Sequence, residues 1–221
     1  EPYQLLVAKD CPRKNIWRNE YIEQYKGTRV LSEKDKCIGD FFKYTYQYIL
    51  PKLNQKYSSK TIEYDHLEGD DCIYIVSNIL KEKYPNNSII IIASDHDLMQ
   101  MLDNYNDSND DIKRQITIIN LKGKSLEDKS CGDSRKDLQI KIITGDKSDN
   151  IKGCFPKCGY KTALKLVENK ELLEKKFDKV EGSREIYERN KQIISFSHIP
   201  KKLYDGCLDK YIYELTNYES N

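Results

Sequence analysis

The chain has 221 residues, of which 33% are charged and 38% hydrophobic, with a formal net charge of +1. That length suits one large domain, or one domain with a small appendage, and the hydrophobic share is enough to bury a core. No stretch approaches the roughly 18 consecutive apolar residues of a membrane-spanning helix, so no membrane partner is expected.

The seven cysteines are odd in number and scattered, without a CxxC pair, and there are three histidines. They read as reduced thiols of an intracellular protein. Cys154 and Cys158 flank a tight loop, but no second Cys or His pair completes a four-ligand zinc site. The opening residues read as a strand, not as a charged leader. A near-neutral total names no partner, but its distribution is informative. Lys and Arg collect in 9–36 and 152–179, whereas Asp and Glu collect in 63–71, 95–111 and 146–149. Separate surfaces of opposite sign suit a protein that grips a polyanion with one and a cation with the other, although solvated helix faces explain most single lysines.

Taken in order, Tyr3–Ala8 is an apolar run expected as a buried strand, and it stops at Asp10. In the next stretch Trp17, Tyr21, Ile22 and Tyr25 recur at helical spacing, with Arg13, Lys14, Arg18, Lys26 and Arg29 between them. Trp17 and Tyr21 are expected in the core. Tyr25, beside Lys26 and Gly27, suits either the core or a stacked base. Residues 30–60 read as a helix or helix pair bent or divided at Pro51, and an aromatic stripe of Phe41, Phe42, Tyr44, Tyr46 and Tyr48 is usually core. Thr61–Tyr64 is a short strand. A helix to about Tyr84 follows, with Ile73, Val76, Ile79 and Leu80 on its buried face and Glu68, Asp70 and Asp71 crowding its start. A helix dipole accounts for one or two of those acids, but three in four residues suggest a cation.

Ser88–Ala93, with four consecutive isoleucines, is the clearest buried strand. It ends in Asp95 and Asp97, one of which can cap the helix that follows. Gln115–Asn120 is a further strand, and a helix leads to Gly145-Asp146, with Asp149 close behind. Gly153 to Gly159 form a turn-rich loop before a helix at 159–168 that begins with Lys161 and Thr162. A helix start of this kind offers backbone N–H groups to a phosphate. Helices at 170–177 and 184–196 come next, then a tail that is irregular before turning helical.

Alternating strands and helices imply a mostly parallel sheet whose carboxyl ends share one edge. Asp10, Asp95 and Asp97 gather there, with Glu68, Asp70, Asp71, Asp146 and Asp149 at nearby termini. Eight such carboxylates repel one another without cations. Two Mg²⁺ or Mn²⁺ ions about 3.5–4 Å apart satisfy them and suit in-line phosphoryl transfer.

Four stretches in this order, AKDCPRKNIWRNEYIEQYKGTR, HLEGDD, ASDHDLMQML and ITGDKSDNIKGCFPKCGYKTALKLV, resemble the flap endonuclease and 5′–3′ exonuclease family. That family comprises phage 5′-nucleases, the 5′-nuclease domain of bacterial DNA polymerase I and eukaryotic flap endonucleases. The later NKQIISFSHIP is similar as well, and the phage type is the nearest match.

The resemblance implies a PIN-like, Rossmann-like α/β fold: a mostly parallel twisted sheet with helices on both faces, a helical arch over 30–60 and a C-terminal all-helical region. The expected division is 1–145 as catalytic domain and 146–221 as the helix-three-turn-helix region. The resemblance implies that Asp10, Glu68 and Asp70 surround one metal with Asp71 close by, that Asp95 and Asp97 stand between two metals, and that Asp146 and Asp149 serve the second. Lys26 matches a lysine on the scissile phosphate, Arg18 and Arg29 match nearby basic positions, and Tyr25 matches an aromatic that stacks on a terminal base. Gly153, Lys157, Gly159, Lys161, Thr162 and Lys165 belong to the duplex-binding hairpin, where a K⁺ ion is also implied. The implied substrates are DNA with 5′ flaps, duplex DNA with a 5′ single strand and RNA/DNA hybrid, cut by a monomer.

Two departures stand out. The family opens with a strand ending in Asp-Gly, and this sequence has no counterpart of it, so the first strand is expected to be missing. The hairpin's usual Gly-x-Gly reads Lys157-Cys158-Gly159. Two rivals remain: a ribonuclease of the related PIN-like fold, and a DNA-junction binding module that has lost catalysis.

Overall fold

The structure is a computed structural model that describes residues 3–27, 33–102 and 115–216. Arg29, at the foot of the expected arch, lies outside the described residues.

The strands are short and parallel. β1 (Leu6–Ala8) pairs with β2 (Lys60–Ile62), Val7 opposite Thr61, and β3 (Ile89–Ile92) pairs with β4 (Ile116–Ile119), Ile91 opposite Ile118. Among the described residues they form two separate two-stranded sheets. Parallel partners need a long crossover between them. For the first pair it is α1 (Glu33–Tyr44) and α2 (Leu50–Tyr57), joined by a π-helical segment at Thr45–Ile49 with Pro51 in the first turn of α2. The three segments follow one another with αR backbone at Tyr44 and Ile49, so Pro51, which has no N–H to give the preceding turn, stands where the helix changes from π to α and does not break it.

Two expectations about burial are corrected. The aromatic stripe does not enter the core: Phe41, Phe42, Tyr44 and Tyr48 are exposed, with Phe42 and Tyr46 stacked at 6.0 Å and Tyr44 and Tyr48 tilted against each other at 5.1 Å. The isoleucine strand is buried on one face only. Ile91 is 6% exposed, whereas Ile90 and Ile92 are 64% and 59% exposed, so the period-2 alternation of side chains wins over an all-apolar composition. A third correction concerns the stretch from Trp17. It forms 3₁₀ turns at Arg13–Asn15 and Trp17–Glu20, not an α-helix. The Trp17 amide donates to the His66 carbonyl and is thereby lost to any helical ladder.

α3 (Gly69–Lys83) runs beneath the strands and buries Cys72, Ile75, Val76 and Ile79. The expected face was displaced by one position at its start, since Ile73 and Leu80 are only partly buried. After a 3₁₀ turn at His96–Met101, α4 (Ser134–Thr144) is capped by Asp133, whose carboxylate accepts from the amides of Arg135 and Lys136. Then come α5 (Tyr160–Glu168), α6 (Lys170–Lys179), α7 (Ser183–Ile194) and α8 (Lys201–Thr216).

Three apolar clusters hold these elements. The largest joins Trp17, Ile62, Leu67, Ile75, Leu98 and Ile118 to Phe196, Cys207 and Leu215. α8 thus packs back onto α3, and the Tyr211 hydroxyl donates to the Glu63 carbonyl. α4 serves the other two clusters from opposite faces: Ile142 packs with Cys11, Tyr25 and Ile193, while Ile140 and Ile143 pack with Phe155, Leu166 and Phe177. Asn190 on α7 is fully buried and donates to the Ile142 and Lys152 carbonyls, tying α7 to the end of α4 and to the loop beyond it. No helix of the described residues is long and apolar enough to cross a membrane.

Candidate active site

The N-terminus of α3 is a reciprocal cap. Glu68 is the N-cap, and the Asp71 carboxylate accepts from the Glu68 amide at 3.1 Å. This is the structural role open to such acids at a helix start, and here it coexists with a dense charge cluster. Oxygens of Glu68, Asp70 and Asp71 lie within 4.8 Å of one another. Glu68 and Asp71 are 3% and 0% exposed.

Arg18 stands behind them, itself 3% exposed. Its guanidinium donates to Glu68 at 2.9 Å and to both oxygens of Asp71 at 2.8 and 2.7 Å, and its Nε donates to the Ile193 carbonyl at 2.8 Å. The Trp17 indole N–H adds a further bond to Asp71 at 3.0 Å. Burial alone pulls the Arg18 pKa down, but the charges of Asp71 and Asp70 outweigh it and hold the group firmly protonated. Asp70 has no such share of positive charge. Burial first, then Asp71, push its carboxyl well above the usual range.

On the solvent side, the Lys26 ammonium contacts Glu68 and lies 4.0 Å from Asp149. Lys26 takes a left-handed backbone conformation, with its amide donating to the Asp149 carbonyl. Tyr25 is 6% exposed, and its hydroxyl donates to Glu68 at 3.0 Å and to Asp149 at 3.3 Å. Its ring belongs to a core cluster and offers no open face to a base. Asp10, at the end of β1, accepts from the Gly69 amide at 2.6 Å.

A second group forms around Lys141 on α4, a residue that the sequence reading passed over. Its ammonium contacts Asp97 and lies 2.9 Å from Asp146. Burial raises Asp97, with Lys141 opposing and Asp95 adding to the rise. Asp146 instead falls to about 2: burial is overcome by hydrogen bonds from Ser148 and by Lys141. Asp95 caps the turn that follows it, its carboxylate accepting from the Asp97 amide at 2.9 Å. The signal for Lys141 was a lone charge inside the apolar run Ile140-Lys141-Ile142-Ile143.

The geometry therefore brings Asp149 to Glu68, Tyr25 and Lys26, while Asp97 and Asp146 meet at Lys141, with Asp95 beside Asp97. The turn from Asp146 to Ile151 closes with two backbone bonds of 2.9 and 2.7 Å. It depends on two glycines: a Cβ on Gly145 would sit 2.4 Å from the Ile151 carbonyl oxygen, and one on Gly153 would sit 2.5 Å from that of Thr144. Beyond it, Gly159 is the N-cap of α5, and Lys157, Gly159, Lys161, Thr162 and Lys165 are all exposed. Lys157 has φ +53°, a left-handed conformation open to glycine at no steric cost. Lysine at the position of the usual glycine therefore keeps the glycine backbone.

The chain belongs to the family described as 5′-3′ exonuclease, N-terminal resolvase-like domain, whose profile matches residues 1–130. Among curated relatives, a 5′-3′ exonuclease of Mycoplasmopsis pulmonis is 30% identical over 196 residues, covering 87% of this chain and 60% of that protein. DNA polymerase I of Bacillus caldotenax is 29% identical over 168 residues, covering 76% of this chain and 18% of the polymerase. The chain thus spans less than two thirds of the length of either relative.

Among solved structures, the phage T5 5′-exonuclease with bound zinc superposes with a TM-score of 0.74 at 17% identity, over 97% of this chain and 84% of that one. A T5 flap endonuclease in a pseudo-enzyme-product complex with DNA and metal ions gives 0.69 at 17% identity, over 96% and 82%. These likenesses establish the PIN-like, resolvase-like fold.

Proposed function

We propose that this chain carries the catalytic part of a divalent-metal-dependent, structure-specific 5′ nuclease, hydrolysing DNA phosphodiesters near single-strand/duplex junctions. The observation that carries the reading is the packing of Glu68, Asp70 and Asp71 oxygens within 4.8 Å, with the Lys26 ammonium on Glu68. An all-oxygen set suits a hard cation, and the upward push on Asp70 marks a place where positive charge is short.

Asp10, Glu68, Asp70 and Asp149 would hold one Mg²⁺ or Mn²⁺, and Asp95, Asp97 and Asp146 a second. When bound, such ions neutralise phosphate oxygens and lower the pKa of the attacking water. Asp71 takes a different part. Its two oxygens already accept from Trp17, Arg18 and the Glu68 amide, so it braces Glu68 and Asp70 instead of ligating. Arg18 acts with it as a positioning residue, while Lys26 stabilises charge developing on the phosphate.

The hairpin through Gly153 and Gly159, with Lys157, Lys161, Thr162 and Lys165, would grip duplex phosphates away from the cut. This support comes from position: the hairpin continues directly from the Asp146–Ile151 turn, so an anchored duplex and the carboxylates share one short segment. A K⁺ ion at the hairpin, RNA/DNA hybrid as a second substrate and a monomeric state complete the proposal.

The test is cleavage of a labelled 5′-flap duplex by the full-length protein in Mg²⁺, with EDTA and Asp70→Asn as controls and single-stranded RNA as competitor. Cleavage at the junction that EDTA and Asp70→Asn abolish supports the reading. Mg²⁺-dependent flap cleavage that survives Asp70→Asn unchanged would falsify it, and preferential cutting of the RNA would favour the ribonuclease.

A further inference from the structure

We propose that Lys141 and a divalent cation are alternative occupants of the Asp97–Asp146 pair, so that the second metal enters by ion exchange and binds more weakly than the first. This rests on the metal reading above, and it adds a control on when the site fills.

The Lys141 ammonium contacts Asp97 and lies 2.9 Å from Asp146, bridging carboxylates that are distant in sequence. A cation bound by both oxygens needs the same few cubic ångströms that the ammonium holds. Two cations cannot share that space, because like charges in contact repel strongly in a partly buried setting. The side chains of Lys141, Asp97 and Asp146 are 25%, 16% and 21% exposed, so solvent screens the ammonium only in part.

Lys141 also has somewhere to go. It lines a cavity of about 290 Å³ together with His96, Asp97, Thr144, Gly145 and Tyr160. A four-carbon stem can swing its ammonium within such a space without moving α4, whose Ile140, Ile142 and Ile143 are fixed in two cores. The Glu68–Asp70 group differs in kind. Arg18 there lies behind the carboxylates, locked by four hydrogen bonds, and among the described residues no lysine is in contact with Asp70. At the first group the Lys26 ammonium contacts Glu68 and lies 4.0 Å from Asp149, whereas at the second one ammonium closes on both Asp97 and Asp146, and a metal held by that pair must evict it.

The experiment is calorimetric titration of the full-length protein with Mg²⁺ and Mn²⁺, without DNA. Lys141→Gln should tighten the weaker of two binding events by about tenfold, as expected when a competing charge contact is removed. Lys141→Arg should leave it weak, and Lys147→Gln, which removes an exposed charge next to Asp146 in sequence, should change it by much less. A second measurement needs no variant: acetylation of Lys141, read by mass spectrometry, should speed up severalfold in saturating Mg²⁺ while Lys147 does not.

The inference is overturned if Lys141→Gln leaves both affinities unchanged, if Lys147→Gln matches it, or if Mg²⁺ fails to raise Lys141 reactivity. Should the wild type bind no divalent ion at all, the metal reading itself falls, and the two failures are thereby told apart.

Discussion

Arg18 and Asp71 face each other through two N–H···O bonds, Nη1 to Oδ2 at 2.8 Å and Nη2 to Oδ1 at 2.7 Å, with both side chains sealed from solvent. A planar guanidinium matches a carboxylate in this way and fixes its orientation as well as its position. The pair links three segments: the Trp17 turn, the start of α3 and, through the Ile193 carbonyl, the end of α7. The orientation of Glu68 and Asp70 is therefore set from behind, by groups that solvent and substrate do not reach.

Removing one member of that pair leaves a buried charge without its partner. Asp71→Asn or Arg18→Met should destabilise by about 3–5 kcal/mol, and the double change by less than the sum of the singles. Urea denaturation of the four proteins checks this. Single losses below about 1 kcal/mol would show that the pair is not closed in solution.

Tyr25 allows a sharper test, because its two readings differ by one atom. If it stacked on a base, Tyr25→Phe would be harmless. With the hydroxyl donating to Glu68 and Asp149, the same change should raise the Mg²⁺ concentration for half-maximal flap cleavage about tenfold, as loss of a ligand's supporting hydrogen bond does elsewhere. DNA affinity in EDTA should stay constant. A change in DNA affinity with an unaltered Mg²⁺ requirement would restore the stacking role.

Much of this site was legible because carboxylates at strand ends and helix starts stand out against apolar runs. Asp10, Glu68, Asp70, Asp95, Asp97 and Asp146 were visible in that way. What stayed hidden was pairing. Arg18 and Asp71 are 53 residues apart, and Lys141 and Asp97 are 44 apart, so no local pattern joins them.

The helices from α3 onward were readable because their apolar residues recur at the helical period and α4 ends at Gly145, whose positive φ and close neighbours admit only glycine. Faces were less readable. Composition alone could not say that Ile90 and Ile92 point outward, nor that Phe41 and Tyr44 leave the core. The Trp17 turn misled for a related reason: short 3₁₀ segments can place buried side chains at a spacing that mimics a helix.

Thiol reactivity should separate the cysteines cleanly. Cys37 is exposed on α1, whereas Cys11, Cys72, Cys154 and Cys207 are buried, and burial pushes the Cys11 and Cys154 thiols up to about 12. The thiolate is the nucleophile, so N-ethylmaleimide at neutral pH should label Cys37 first and the buried four only on unfolding. Mass spectrometry of native digests reads this out. Early labelling of Cys154 would mean that the Asp146–Ile151 turn opens readily from α4.

Acid stability should carry the imprint of Asp146. Its folded pKa is about 2, against roughly 3.9 for an unfolded aspartate. A carboxyl held low in the folded state stabilises the protein fully above the unfolded value and loses that contribution as pH falls toward the folded one. Asp97 runs the other way. Its folded pKa is raised, so its charged form costs stability, and protonation relieves that cost as the medium turns acid. The wild-type curve mixes the two. Comparison with Asp146→Asn isolates the first: stability measured by urea at a series of pH values should fall more gently in the variant between about pH 4 and pH 2. The Ser148 amide and hydroxyl, at 2.7 and 2.6 Å from Asp146, account for part of the depression, so Ser148→Ala should move the variant curve in the same direction by a smaller amount. Parallel curves for wild type and Asp146→Asn across that window would mean that neither Lys141 nor Ser148 holds Asp146 in its charged form.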